Sequence, residues 1–180
     1  MAFISFACFV KTESEFLGFA TSATHFSTSL LLYYGEVYVM KEGKLKFIGL
    51  VVDAGESSKV KVFPEFCAGL QRLNDFSHVI ILYWFHLRDN EKERSVLEVT
   101  PKKHQGAPQV GVFASRSPSR PNPIGLCVTE LVEMEECTLT VKGLDALQNS
   151  PIIDIKPYLP RADRIPKVRV PKWTSKGPPT

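Results

Sequence analysis

Residues 79–85 read Val-Ile-Ile-Leu-Tyr-Trp-Phe, a continuous apolar run rich in β-branched and aromatic side chains. Such a run between polar residues is typical of a strand that is buried on both faces. Pro64–Leu73 places apolar side chains at helical spacing and predicts one short helix. The other apolar runs are short, end in turn residues and predict strands: Leu45–Val52, Lys59–Phe63, Val96–Val99, Val110–Ala114, Ile124–Leu131, Thr138–Leu144 and Ile152–Ile155.

Strands outnumber helices too heavily in this pattern for a doubly wound α/β fold. Exposed strand edges invite association with other chains, and closing the sheet removes them. We therefore predict an all-β fold, a small closed or nearly closed antiparallel β-barrel with one short helix.

The first 39 residues differ in composition from the rest of the 180-residue chain. They are rich in Ser, Thr, Phe and Tyr, and Lys11 is their only basic residue. They are either an N-terminal extension of unknown role or an extra element packed on the core. We predict an extension at 1–39, a domain at 40–173 and a tail at 174–180.

The four cysteines, Cys8, Cys67, Cys127 and Cys137, have no CxxC spacing. This argues against a disulfide framework and a thiolate metal site, and suits a reducing compartment. The sequence also lacks a secretory signal and an apolar run of membrane-spanning length, about 20 residues. We expect a cytoplasmic protein that is not inserted in a membrane.

Residues 115–123 read Ser-Arg-Ser-Pro-Ser-Arg-Pro-Asn-Pro, between two apolar runs. Proline restricts the backbone and removes hydrogen-bond donors, so this loop is pre-shaped and excluded from a central ladder. It holds Arg116 and Arg120, whose planar forks suit carboxylates and phosphates. A disordered linker is the alternative, but nine residues is the length of a loop.

Two later carboxylates carry alternative interpretations. Asp145, at the end of an apolar run, is either an acceptor for ribose hydroxyls or an amino group, or a turn cap. Asp154 and Lys156 alternate with isoleucines and so share one strand face. They form either a surface ion pair or, in a pocket, a base and a substrate clamp.

A basic cluster lies near the C-terminus of a chain whose net charge is only +3. It either meets phosphates or is a solvated tail. Its members are Arg161, Arg164, Lys167, Arg169, Lys172 and Lys176. We predict no metal site, because His78 and His86 stand about 26 Å apart in an extended strand.

Several of these segments together resemble one family, the TsaA-like or TrmO proteins. The segments are Phe47–Gly49, Gly69–Leu70, Phe76–His78, Phe85–His86, Gly111–Ser117, Arg120–Leu126, Leu144–Asp145 and Ser150–Pro160. The resemblance implies a small β-barrel that acts as a homodimer and binds S-adenosylmethionine. It also implies methylation of N6 of threonylcarbamoyl-adenosine at position 37, in the anticodon loop of tRNA.

The resemblance also implies roles for individual residues. Cofactor contacts fall on His86, Leu87, Arg116, Leu126, Gly143, Leu144 and Asp145. Contacts with tRNA phosphates or neighbouring groups fall on Arg120, Asn122, Lys156, Arg161 and Arg164. We expect Asp154 to take the N6 proton.

The chain departs from the family at one point. Family members carry a Pro-Arg-Gln-like segment between their first two strands, whereas here Leu50–Ser58 leads almost directly into the next strand. Two alternatives to a tRNA methyltransferase therefore remain: a regulatory protein that binds S-adenosylmethionine without catalysis, and a methyltransferase for a small molecule.

Overall fold

The computed structural model describes Leu32–Tyr34, Val37–Val39 and residues 42–176. Leu32–Tyr34 (β1) and Val37–Val39 (β2) pair as an antiparallel hairpin. The chain divides into two compact units, residues 1–45 and residues 46–180. Most of the predicted extension at 1–39, its boundary at Met40 and the end of the predicted tail lie outside the described residues, so their roles stay predictions.

Six antiparallel strands of the second unit close into a barrel in the order β10-β3-β4-β9-β8-β5. This confirms the predicted fold class. The barrel strands are β3 (Gly49–Asp53), β4 (Ser57–Val62), β5 (His78–Trp84), β8 (Ile124–Glu135), β9 (Thr138–Lys142) and β10 (Pro151–Pro157). A separate two-stranded sheet pairs β6 (Glu98–Val99) with β7 (Val110–Gly111).

The barrel core is built by alternation along each strand. In β5, Val79, Ile81 and Tyr83 are at most 1% exposed and point inward. Ile80 and Leu82 lie on the outer face and are only half-buried. The expectation that β5 is buried on both faces is therefore wrong at Ile80 and Leu82, but Trp84 on the same face is buried, at 7% exposed.

The helical elements are all short. The predicted helix at Pro64–Leu73 begins at Pro64, but it is a 3-10 helix that ends at Leu70, and a second 3-10 turn follows at Leu73–Asp75. Arg72, whose φ of 65° is left-handed, lies between these two 3-10 segments and separates them. The other short helices are α1 (Glu91–Arg94), α2 (Pro160–Asp163) and 3-10 turns at His86–Arg88, Val112–Ala114 and Lys172–Lys176.

The prediction of a strand over Val110–Ala114 is wrong for its second half. After Gly111 the backbone turns into a 3-10 helix, with the Ser115 amide donating to the Val112 carbonyl. Across residues 42–176, no helix is long and apolar enough to cross a membrane.

Cys67 and Cys137 form a disulfide, although the cysteine spacing predicted none. They are 70 residues apart in sequence, but the 3-10 helix at Pro64–Leu70 lies against the β8–β9 turn, where their Cα atoms are 5.2 Å apart. The expectation was wrong because it considered only local spacing. The expected cytoplasmic location stays a prediction.

The barrel closes through its shortest ladder. β10 pairs with β3 only at Pro151 and Ile152, opposite Leu50 and Gly49. After an irregularity at Ile152, β10 continues to Pro157 against β5 alone. Gly49 permits close approach on the other side of β3, where a Cβ would lie 2.4 Å from the Lys61 carbonyl oxygen of β4.

Candidate functional site

Most of the predicted cofactor residues meet at one end of the barrel, where β5 and β9 end and β8 and β10 begin. We call this the site end. The Phe85 amide donates to the Pro123 carbonyl at 2.8 Å, which joins the end of β5 to the loop before β8. A 3.4 Å hydrogen bond between His86 Nδ1 and Ser150 Oγ joins the same segment to the loop before β10.

Asp145 is anchored at this end by a residue that sequence reasoning missed. The Tyr83 hydroxyl donates to Asp145 Oδ1 at 2.8 Å. Burial, and secondarily the hydrogen bond to Asp145, raises the pKa of Tyr83, so the hydroxyl keeps its proton and remains a donor. The apolar run identified Tyr83 only as core, and nothing in it points to a partner 62 residues away.

Cys127 lies between the predicted cofactor residues. Its thiol donates to the Gly143 carbonyl at 3.0 Å, and Gly143 adopts a φ of 83° that favours glycine. Burial is the main reason that the pKa of this thiol is raised; the charge of Asp145 adds to the rise and that of Arg116 opposes it. The structure therefore places Gly143 in contact with Cys127, and the charges of Asp145 and Arg116 both act on its thiol.

The loop at 115–123 is held by its own second arginine. Arg120 donates from Nε to the Ser117 carbonyl at 2.6 Å, and from Nη2 to the carbonyls of Ser115 at 2.6 Å and Val112 at 3.3 Å. The Ser119 hydroxyl donates to Glu93 of α1. Arg120 therefore shapes the loop, and Arg116 stays exposed at the site end.

These bonds change the expected role of Arg120. Its Nε and Nη2 groups are committed to loop carbonyls, so the predicted tRNA contact is not its main interaction here. Asn122 is exposed in the same loop. Its contact with tRNA stays a prediction.

Leu126 and Asp154 share the outer face of the barrel. Both pair with Leu82, Leu126 from β8 and Asp154 from β10, so the three residues form a row across the strands. Leu87 is 66% exposed in the turn that follows β5. Leu144 is 8% exposed, so its side chain belongs mainly to the core.

Asp154 and Lys156 form an ion pair. Lys156 Nζ lies 2.8 Å from Asp154 Oδ2, and Asp154 Oδ1 accepts from the Ile155 amide at 3.0 Å. Their side chains are 45% and 60% exposed, a setting in which an ion pair contributes about 0–1 kcal/mol. Of the two interpretations left open by the sequence, the structure shows the surface pair, and Asp154 as proton acceptor stays a prediction.

Arg161 and Arg164 lie away from the site end. The Tyr158 amide donates to the His78 carbonyl, so the chain leaves β10 beside the start of β5 before α2 begins. Ile152 and Pro157 are five residues apart, about 17 Å of strand. The expectation that these arginines flank the cofactor residues is therefore wrong within one chain, because β10 separates them.

The side chains of Leu87, Arg116, Leu126 and Asp145 are exposed at the site end. Two cavities, of about 410 and 220 Å³, lie instead between the 3-10 segments at residues 64–75 and β10, and none of the predicted cofactor residues lines them. Asp154 lines the smaller one. Within the described ranges, no group of three His, Cys, Asp or Glu side chains is placed to hold a metal ion.

Known proteins are similar to this chain in sequence and in fold. A probable S-adenosyl-L-methionine-binding protein of Methanothermobacter thermautotrophicus is 46% identical over 112 residues, which cover 62% of this chain and 77% of the relative. The mouse tRNA (adenine(37)-N6)-methyltransferase is 40% identical over 90 residues, 50% of this chain and 20% of that protein.

The crystal structure of TrmO from Pseudomonas aeruginosa superimposes with a TM-score of 0.60 at 27% identity. The match covers 78% of this chain and 65% of that chain, so this chain spans slightly less than two thirds of the solved protein. The family model described as the tRNA-methyltransferase O N-terminal domain matches residues 50–164. Because this match includes most of the barrel and the site end, the chain belongs to the tRNA-methyltransferase O N-terminal domain family.

Proposed function

We propose that this protein binds S-adenosylmethionine at the site end and transfers the methyl group of this cofactor to tRNA. The proposed acceptor is N6 of threonylcarbamoyl-adenosine at position 37 in the anticodon loop. The observation that carries the proposal is that Asp145, held by Tyr83, and Gly143, held by Cys127, lie at one end of the barrel, where the Phe85–Pro123 bond also ties in the loop that exposes Arg116. Relatives named as S-adenosylmethionine-binding proteins and as a tRNA methyltransferase support it.

The side chains at the site end fit the chemistry of this cofactor. Arg116 is an exposed cation for its carboxylate. Asp145 is an acceptor for ribose hydroxyls or the adenine amine, and Leu126 is an exposed apolar surface. S-adenosylmethionine supplies an activated methyl group on a sulfonium, so the protein mainly has to align the acceptor nitrogen.

The acceptor nitrogen must lose a proton when it gains the methyl group. Asp154, in the same row as Leu126, is our proposed acceptor of that proton. Its ion pair with Lys156 must open first. A tRNA phosphate that binds Lys156 would release Asp154 for this role, which links substrate binding to the availability of the base.

A homodimer would account for both the exposed side chains of the site end and the distant arginines. The outer face of β8 exposes Leu126, Val128 and Val132, each 45–48% exposed, beside half-buried Ile80 and Leu82. Two-fold packing of this face with antiparallel strands would bring the far end of one copy to the site end of the other. Arg161 and Arg164 of a second copy would then lie near Arg116.

A binding protein without catalysis is the second candidate, favoured by the short β3–β4 turn. Only residues 54–56 separate these strands at the site end, where the family carries its Pro-Arg-Gln-like segment. The turn adjoins the site loop, because the Gln148 side chain donates to the Val52 carbonyl at 3.2 Å. The missing segment therefore removes groups next to the proposed cofactor site.

The test is transfer of labelled methyl from S-adenosylmethionine to tRNA from cells that lack this gene, with cofactor retention measured in parallel. Label at N6 of adenosine 37, lost in Arg116→Ala, supports the proposal. Arg72→Ala is the matched control, because Arg72 is an exposed arginine paired with Asp75 away from the site end. Cofactor retention without methyl transfer identifies a binding protein. If the protein shows no cofactor retention and no methyl transfer, both candidate functions are contradicted.

A further inference from the structure

Tyr83 is a core side chain whose polar end reaches the candidate site. The residue is 1% exposed, and its hydroxyl donates to Asp145 Oδ1 at 2.8 Å. The residue that carries the acceptor is itself exposed. The hydrogen bond therefore connects the barrel interior to a carboxylate at the surface.

The ring of Tyr83 is fixed by the barrel. Gly125 stands directly opposite it in the β5–β8 ladder, and a Cβ at residue 125 would lie 2.3 Å from Tyr83 Cζ. The ring of Phe85 packs edge-on at a centroid distance of 5.1 Å. The position of the hydroxyl is therefore set by packing within the core.

The turn that carries Asp145 is anchored on both sides. Leu144 and Ala146 are 8% and 5% exposed, so they hold the backbone around Asp145 against the core. A carboxylate can accept about four hydrogen bonds. With Tyr83 bound to one oxygen, the other oxygen and the remaining lone pair can face a ligand.

We propose that Tyr83 is a positioning residue, whose hydroxyl orients the Asp145 carboxylate toward the hydroxyl or amino donors of the nucleoside part of S-adenosylmethionine. This inference rests on the proposed function, because it takes Asp145 as a cofactor contact. An acceptor held in place before binding loses less conformational entropy when the ligand arrives. The raised pKa of Tyr83 keeps the hydroxyl in its donor form through the physiological pH range.

The test is Tyr83→Phe, which removes one oxygen and keeps the ring against Gly125. We expect calorimetry to show five- to thirtyfold weaker binding of S-adenosylmethionine, a part of what a hydrogen bond to a charged group contributes. S-adenosylhomocysteine shares the nucleoside and should lose affinity by the same factor. In methyl transfer, KM for the cofactor should rise while kcat changes little. Tyr158→Phe, on a tyrosine beside His78 at the far end, is the control and should leave affinity unchanged.

A double-mutant cycle separates positioning from general stability. In an Asp145→Ala background, Tyr83→Phe should cost no further affinity, whereas a merely structural role would give the same loss in both backgrounds. Equal affinity of Tyr83→Phe and the unmutated protein, or additive losses in the cycle, overturns the inference. Absence of binding by the unmutated protein overturns the proposed function instead.

Discussion

Arg120 offers the sharpest separation between a structural and an RNA-binding role. The two substitutions are Arg120→Ala, which removes the guanidinium, and Arg120→Lys, which keeps the charge but not the planar fork. Three carbonyls of one loop, those of Val112, Ser115 and Ser117, accept from this side chain. A hydrogen bond to a charged group contributes about 1.5–3 kcal/mol, but losses within one loop are not additive.

We therefore expect Arg120→Ala to lower the free energy of unfolding by about 2–4 kcal/mol, and Arg120→Lys to recover less than half of that. Urea denaturation followed by circular dichroism measures both, with Arg161→Lys on exposed α2 as the control. Affinity for S-adenosylmethionine should fall in both variants, because the loop presents Arg116. The structural role would be refuted if Arg120→Lys kept full stability and full cofactor affinity while Arg120→Ala changed only tRNA binding.

Three further outcomes can be measured directly. Arg116→Ala should weaken S-adenosylmethionine binding by about 2–4 kcal/mol, with partial recovery in Arg116→Lys; unchanged calorimetric affinity in a folded variant removes Arg116 from the site. Cys67→Ser should lower the free energy of unfolding by about 4 kcal/mol, the chain-entropy contribution of a crosslink between residues 70 apart. Coincident urea curves with and without reductant contradict that value. Arg161→Ala and Arg164→Ala should each reduce the slope of log affinity for tRNA against log salt by about 0.7 and leave cofactor affinity unchanged; a flat salt response of the unmutated protein contradicts phosphate binding.

The sequence predicted the barrel because its signals are local. The run at residues 79–85 became the barrel strand β5, and most of the short runs became the other barrel strands, whereas those at Val96–Val99 and Val110–Ala114 formed the separate β6–β7 sheet. Pro64 marked the start of a helical segment, although the sequence could not distinguish 3-10 from α geometry. The second half of the strand expected over Val110–Ala114 is instead a 3-10 turn, because an apolar side chain can be buried equally well from a turn, as Val112 is.

Side-chain partnerships were the part that the sequence could not supply. The disulfide between Cys67 and Cys137 and the bond between Tyr83 and Asp145 both depend on the barrel register. Arg120 has the composition of an anion-binding residue, and only its position shows that the loop itself takes most of its donors. The family resemblance predicted which residues contact the cofactor, but it could not show that β10 separates Arg161 from them.

The pairing between neighbouring strands is uneven around the barrel, because the ladder between β3 and β10 has only two paired positions. Further backbone hydrogen bonds cross this seam at Ile48–Ile152, Ser150–Val51 and Asn149–Val51, but it still pairs fewer residues than β5 and β8, which pair at seven positions. The barrel can therefore unroll into a curved sheet by local fluctuation while its other ladders stay intact. Among the described barrel strands only β5 pairs with β10 beyond Ile152, so opening the seam frees Pro151 and Ile152 and lengthens an edge that can pair with a strand of another chain. The same seam that closes the fold is thus its natural place for strand exchange.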